Sequence, residues 1–174
     1  MAIQGIDIDN LSLKDALDLA TLIEEEARDR YEELAEQMQV HHTPGAEAFF
    51  RKMVRIEDKH RVELEKRRHE LFGSAARRVN RSMIFDIEAP DYDLVRQGMT
   101  AREAFAAAMS SEVKAHDFFV AALPRVKNPE VKALFEELRD EEIEHKQWVQ
   151  AEIDRLPPAP STPEDDVSDE PVAH

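Results

Sequence analysis

Two short motifs in the sequence pair a carboxylate with an imidazole one helical turn away. They are Glu57-x-x-His60 and Glu142-x-x-His145. A lone glutamate precedes each motif, Glu24 by 33 positions and Glu112 by 30 positions. In a helix, residues three apart share a face and lie about 4.5 Å apart along the axis. A carboxylate and an imidazole so placed are suited to one transition-metal centre.

All six of these residues interrupt apolar helical stripes. Glu24, for example, has Ala20, Ala27 and Tyr31 as its neighbours at helical spacing. Burying isolated charges would cost more than the ~5–15 kcal/mol that stabilises a whole domain. Two divalent cations would balance four carboxylates and leave the imidazoles neutral. The alternative is that Glu57, Glu112 and Glu142 lie at the core edge and extend to water, with two structural histidines.

Helix boundaries are marked by capping residues, prolines and one glycine. They predict helices over about 12–38, 43–72, 100–123 and 128–156. Ser12, Thr43, Thr100 and Asn128 are the N-cap candidates, and Thr100 begins a capping box. Proline follows Thr43 and Asn128 at the first helical position. The first helix is expected to end near Met38, and the second near Phe72-Gly73.

Loop lengths predict how the four helices connect. Short loops make the first and second helices an antiparallel hairpin, and the third and fourth helices another. Residues 74–99 form the connection between hairpins, expected to be irregular apart from an apolar patch at Met83-Ile84-Phe85. A connection of this length is able to span a bundle about 40 Å long. The resulting register brings each lone glutamate level with a Glu-x-x-His motif. We therefore expect an all-α four-helix bundle of two hairpins joined by a long crossover.

Composition limits the classes of function. The 174 residues fit one domain, and the net charge is 23 − 38 = −15, which argues against a nucleic-acid partner. Cysteine is absent, which excludes disulfides, thiolate zinc sites and iron–sulfur clusters. No apolar run is long enough to span a bilayer. We therefore expect a cytoplasmic location and no membrane association.

Three segments are expected along the chain. Residues 1–11 form an N-terminal extension, residues 12–156 form the bundle, and residues 157–174 form an acidic, proline-rich tail that is expected to be disordered. The Arg67-Arg68 and Arg77-Arg78 pairs are expected to be solvated charges near a helix end.

The residue set resembles that of ferritin-like di-iron carboxylate proteins. Within that superfamily, the run from Glu24 to Tyr31 is similar to the first-helix signature of rubrerythrins and bacterioferritins. The resemblance covers residues 12–156 and implies a ferritin-like bundle that binds two iron ions, with manganese or a mixed pair as the alternative. It implies six metal ligands, namely Glu24, Glu57, His60, Glu112, Glu142 and His145.

The resemblance also implies a coordination role for each of these residues. Glu57 and Glu142 bridge the ions, Glu24 and His60 complete one of them, and Glu112 and His145 complete the other. Tyr31 is the candidate catalytic residue, as a hydrogen-bond donor to a ligand carboxylate.

Two departures from the rubrerythrin pattern concern the third helix and the missing cysteines. Ala115 stands where rubrerythrins usually have a second carboxylate, so the resemblance by itself does not imply their redox-dependent ligand switch or their peroxide specialisation. His116 lies one turn after Glu112 and is expected to be a structural histidine; the alternatives are an additional ligand or a proton donor. Without cysteines the chain has no rubredoxin-type iron site, so an external electron donor is expected.

The expected function is a di-iron oxidoreductase, a ferroxidase or peroxidase that oxidises Fe(II) with H2O2 or O2. A homo-oligomer is expected, with a dimer favoured. One alternative is an iron-storage cage subunit of bacterioferritin type. Another is a metal-free helical interaction module in which buried polar groups fix the register.

Overall fold

The computed structural model describes residues 6–88 and 99–158, and every regular element in these ranges is a helix. After a short 3-10 helix, Ile8–Asn10, come α1 (Leu13–Val40), α2 (Pro44–Phe72), α3 (Arg81–Glu88), α4 (Ala101–Ala122) and α5 (Pro129–Arg155). The predicted all-α class is confirmed. Within the same ranges, no helix combines the length and the apolar character needed to cross a lipid bilayer.

The long helices begin where the capping residues predict. The Ser12 side chain accepts a hydrogen bond from the amide of Asp15, and Thr100 and Glu103 form a complete capping box. Asn128 caps α5. Thr43 differs from the prediction, because its hydroxyl makes no cap and instead donates to the carbonyl of Met38. It therefore ties the α1–α2 turn together rather than capping α2.

The sequence predicts an irregular segment between the hairpins, but part of this segment is helical. Residues Arg81–Glu88 form α3, and Ile84 is buried in the apolar core. The helix packs against both α1 and α4. Burial of Ile84 thus removes from water an apolar side chain that an extended connection would leave exposed. The rest of the connection, residues 89–98, lies outside the described residues.

Both ends of the chain extend beyond the described residues. At the N-terminus, Ile8 and Leu11 are buried against the bundle, so this part of the predicted extension packs on the core. At the C-terminus, α5 ends before Pro157-Pro158 as predicted. Residues 159–174 of the predicted tail lie outside the described residues.

Two apolar clusters fill the bundle, one towards each end. The first cluster contains Leu17 and Ile23 of α1, Leu64 of α2, Phe119 of α4 and Leu134 of α5. The second contains Leu34 of α1, Phe50 of α2, Phe105 of α4 and Val149 of α5. Helices α1 and α5 therefore run from the first cluster to the second, and α2 and α4 run the opposite way. The crossover carries the chain from one end of the bundle to the other. Between the two clusters, a short stretch of each long helix forms a separate layer.

A buried ion-pair cluster lies in the first half of α1 and is called here the Asp18 cluster. Asp18 is fully buried, and its carboxylate lies 2.6 Å from Arg68 Nε and 2.8 Å from Lys14 Nζ, with Arg77 Nε at 3.6 Å. Arg68 also donates to the carbonyls of Gly73 and Ala75, and Lys14 donates to that of Ala76. The expectation that Arg68 is solvated was wrong: its guanidinium fastens the start of the crossover to α1.

Candidate metal centre

Each long helix contributes polar side chains to the layer between the two apolar clusters. The contributors are Glu24 of α1, Glu57 and His60 of α2, Glu112 of α4, and Glu142 and His145 of α5. The four glutamates and His145 are all more than nine-tenths buried. Apolar residues one or two turns away on either side pack the bundle and screen these side chains from water along the bundle axis. The register inferred from the two hairpins thus brings the predicted ligands to one depth.

The first group in this layer consists of Glu112, Glu142 and His145 and is called the His145 group. His145 Nδ1 lies 3.4 Å from a Glu112 oxygen and 3.8 Å from a Glu142 oxygen. Burial by itself raises the pKa of Glu112, but the interactions with His145 and Glu142 outweigh burial and lower that pKa to about 2. Glu112 is therefore held ionised, the form in which a carboxylate binds a metal.

The second group consists of Glu24, His60 and Glu141 and is called the His60 group. His60 Nδ1 lies 3.6 Å from a Glu24 oxygen and 3.9 Å from a Glu141 oxygen. Both distances exceed the length of a hydrogen bond, and this buried nitrogen has no hydrogen-bond partner among the described residues. The neighbouring Glu24 carboxylate raises the pKa of His60.

The two groups meet at Glu57. One Glu57 oxygen lies 3.4 Å from His145 Nδ1, and the other lies 3.9 Å from His60 Nδ1. The two imidazole rings are nearly parallel, with their centroids 5.7 Å apart. Three sets of residues each bring three ligand atoms within 4.8 Å of one another. Two of these sets are the His145 group and the His60 group, and the third consists of Glu57, His60 and His145. The arrangement is one continuous centre with a carboxylate between two imidazoles.

Tyr31 lies behind the His145 group. It is fully buried, and its hydroxyl donates a hydrogen bond to Glu112 Oε1. Burial, and then the Glu112 charge, raise the pKa of Tyr31 well above its ordinary value, so the hydroxyl keeps its proton. Because Oε1 is held by Tyr31, the second oxygen, Oε2, is the one that faces His145. Tyr31 therefore orients Glu112.

Sequence reasoning missed Glu141. Its side chain is about one-third exposed, and burial raises its pKa to about 7. One signal was available: Glu141 precedes His145 by four positions, so the two residues share a face of α5. Glu142, however, is the residue that interrupts the apolar stripe of α5, so the sequence pattern indicates Glu142 and not Glu141.

Two neighbours of Glu112 on α4 take no part in the centre. His116 Nδ1 lies 3.1 Å from the Asp117 carboxylate and joins none of the metal-ligand groups formed by the described residues. The structural role of His116 stays a prediction. Ala115 is fully buried.

The residues present fit divalent transition-metal ions. Carboxylate oxygens and imidazole nitrogens are the donors that iron and manganese accept, and this layer holds both kinds of donor side by side. The unsatisfied His60 Nδ1 is a buried nitrogen aimed at carboxylates, and a cation placed between them would remove the defect.

Comparison with known proteins agrees with this geometry. A family model, rubrerythrin, matches residues 15–153. The crystal structure of an uncharacterised conserved protein from Magnetospirillum magnetotacticum MS-1 is similar, with 26% sequence identity and a TM-score of 0.75, over 87% of this chain and 100% of that one. No curated protein matches the chain. Since the family model spans all four long helices and the polar layer between them, the chain belongs to the rubrerythrin family.

Proposed function

We propose that the chain is a non-haem di-iron oxidoreductase that oxidises Fe(II) with H2O2 or O2. The observation that carries the proposal is the convergence of four buried carboxylates and two imidazoles in one layer of the bundle. Rubrerythrin-family membership supports the same chemistry. Bound Fe(II) would supply the electrons: one H2O2 would be reduced to two water molecules by two protons and two electrons, one from each of two Fe(II) ions that become Fe(III).

The protein's part is to hold and orient the ligands. Glu24 and His60 would hold one ion, Glu112 and His145 would hold the other, and Glu57 and Glu142 would be shared between the two. The position of Glu57 between the imidazoles supports a bridging role. Tyr31 is a positioning residue, because its hydroxyl fixes which Glu112 oxygen faces His145. The apolar clusters above and below restrict access of water.

A complete cycle needs a reductant. The chain contains no cysteine, so it cannot hold an iron–thiolate electron carrier of its own. The proposed electron donor is therefore a separate molecule. We retain the cytoplasm as the expected location and a dimer as the favoured assembly.

The test is stopped-flow mixing of protein loaded anaerobically with two equivalents of Fe(II) against H2O2 and, separately, against O2. We expect faster Fe(II) oxidation in wild type than in Glu57→Ala, because this substitution removes the carboxylate that lies between the imidazoles. Glu144→Ala, an exposed glutamate on the same helix as Glu142, is the matched control and should keep the wild-type rate. Equal rates in wild type and Glu57→Ala would refute the proposal.

The two alternatives give different results in simpler measurements. A storage cage predicts a particle on the scale of 24 subunits by sedimentation, whereas the favoured dimer sediments far more slowly. A metal-free interaction module predicts no stoichiometric metal in the purified protein. Metal analysis is therefore the first experiment to make.

A further inference from the structure

The candidate metal centre is closed on one side and open on the other. His145 is only 3% exposed, whereas the side chains of His60 and Glu141 are 17% and 31% exposed. A cavity of about 70 Å³ lies beside His60 and Glu141, between α2 and α5. The remaining lining residues are Glu63, Leu64, Arg67, Glu137 and Leu138. The His60 group is thus the part of the centre that solvent reaches.

We propose that Glu141 is a seventh ligand of the centre, bound to the cation of the His60 group. The inference rests on the proposed function, because it assumes a metal at this centre. It adds a residue outside the six that the sequence indicated, from the cavity-facing side of α5.

Geometry singles out Glu141 among the acidic residues at the cavity. Three atoms lie within 4.8 Å of one another: a carboxylate oxygen of Glu141, a carboxylate oxygen of Glu24 and a ring nitrogen of His60. They are close enough for one cation to bind all three. His60 Nδ1, between the two carboxylates, has no hydrogen-bond partner among the described residues. Imidazole nitrogen and two carboxylate oxygens form a donor set suited to Fe(II), Mn(II) or Co(II).

The other acidic residues at the cavity already have cationic partners. Glu137 lies 3.3 Å from Arg67, and Glu63 lies 3.7 Å from Lys59. Within the described part of the chain, by contrast, no lysine or arginine pairs with Glu141, and its charged neighbour is His60 at 3.9 Å. Glu141 is thus the carboxylate at this opening whose charge is left for a cation.

Charge balance gives Glu141 a distinct role. Four carboxylates neutralise two divalent ions. A fifth carboxylate therefore adds negative charge, which stabilises a bound ion of higher positive charge. Because Glu141 stands only beside the His60 group, this effect belongs to one ion of the pair. We therefore expect the two sites to respond differently when Glu141 is neutralised.

The experiment is titration of the full chain with Co(II), followed by visible absorption and by tryptophan fluorescence. Trp148 is the single tryptophan, and its ring centroid lies 5.4 Å from that of His145, so the ion at the His145 group is expected to quench its fluorescence more strongly than the ion at the His60 group. Glu141→Gln removes the charge at nearly constant shape. Glu144→Gln removes the same charge from an exposed position of the same helix.

We expect wild type to bind two Co(II) ions. In Glu141→Gln, one ion should bind about 10–100-fold more weakly, the range seen when a group supporting a metal site is removed. The ion that quenches Trp148 more strongly should keep its affinity, and Glu144→Gln should keep the affinity of both ions. Glu141→Asp, which retains the charge on a shorter side chain, should lie between wild type and Glu141→Gln and provides the test if the amide variant fails to fold.

The outcomes separate the two proposals. Two unchanged affinities in Glu141→Gln, or equal weakening of both ions, would overturn the role of Glu141 and leave the di-iron proposal standing. Absence of stoichiometric Co(II) in wild type would overturn both. Circular dichroism confirms that each variant is folded before it is titrated.

Discussion

The bundle buries charge in two places, and the two places are balanced in different ways. In the Asp18 cluster, one carboxylate is surrounded by cations of the chain itself, with Arg68 and Lys14 within 3 Å. In the candidate metal centre, four buried carboxylates lie around two imidazoles. Arg30 is near enough to help lower the pKa of Glu112, but one guanidinium does not balance four carboxylates.

This difference separates a structural ion cluster from a binding site. Asp18 has its counter-charges, and Arg68 also donates to two backbone carbonyls, so no buried side-chain atom of this pair lacks a partner among the residues that the structure describes. The candidate metal centre keeps an excess of negative charge and a buried imidazole nitrogen without a hydrogen bond. Buried charge therefore indicates a metal only where the fold does not supply the compensating cations.

The largest expected effect comes from breaking the balanced cluster. Asp18→Asn should lower the free energy of unfolding by about 3–5 kcal/mol, because it leaves Arg68 buried without its counter-ion. Urea denaturation measures this loss. The exposed Asp140→Asn is the control, and it should change stability by less than about 0.5 kcal/mol. A comparably small effect of Asp18→Asn would mean that the cluster is not a structural ion pair.

Metal addition should stabilise the protein through the unbalanced site. At a free Co(II) concentration 100 times the dissociation constant, each site should add about 2.7 kcal/mol to the free energy of unfolding. For a chain of this size that corresponds to a rise in Tm of about 5–10 °C per site. A thermal melt with Co(II), and again after a chelator, measures the rise. Asp18→Asn should show the same rise, and an absent rise in wild type would contradict the comparison.

Removing the Tyr31 hydroxyl should have an intermediate effect. Tyr31→Phe leaves Glu112 Oε1 without its buried donor, and a hydrogen bond to a charged group contributes about 1.5–3 kcal/mol. We expect a loss of this size in urea denaturation of the metal-free protein. Quenching of Trp148 by Co(II) should also weaken, because Glu112 loses its orientation. Unchanged quenching would show that Tyr31 does not position this ligand.

Glu57→Gln should have the smallest effect on the metal-free protein and therefore gives the sharpest contrast with Asp18→Asn. Neutralising Glu57 relieves repulsion among the buried carboxylates, so the free energy of unfolding should stay within about 1 kcal/mol of wild type, at or above it. The stabilisation by Co(II) should disappear. Parallel urea titrations with and without Co(II) measure both quantities. A loss as large as that of Asp18→Asn would mean that the fold already balances Glu57.

Most of the helical framework could be predicted from the sequence because its signals are local. Ser12, Thr100 and Asn128 cap helices through hydrogen bonds to amides two or three residues away, and such bonds depend little on the rest of the fold. The short connections then determine the hairpins. The predicted ligands followed from the same periodicity, since a glutamate within an apolar stripe has to face the core.

The Asp18 cluster and α3 were missed for a common reason. Helical periodicity assumes one buried face, but α1 is buried on all sides over residues 16–24, where the crossover and α3 cover it. Asp18 lies on the face that a four-helix bundle alone would leave in water. Its partner Arg68 is 50 positions away, and no local pattern connects the two.

The sequence by itself determined where the long helices begin and end, and that six polar side chains interrupt their apolar stripes. Short-range hydrogen bonds and a 3.6-residue period decide these features, and both are visible in the order of the residues. Only the tertiary structure decided that Glu141 stands at the open side beside His60, and that Asp18 has cations of its own. These depend on the rotation and spacing of helices from different hairpins, which packing of the whole core sets.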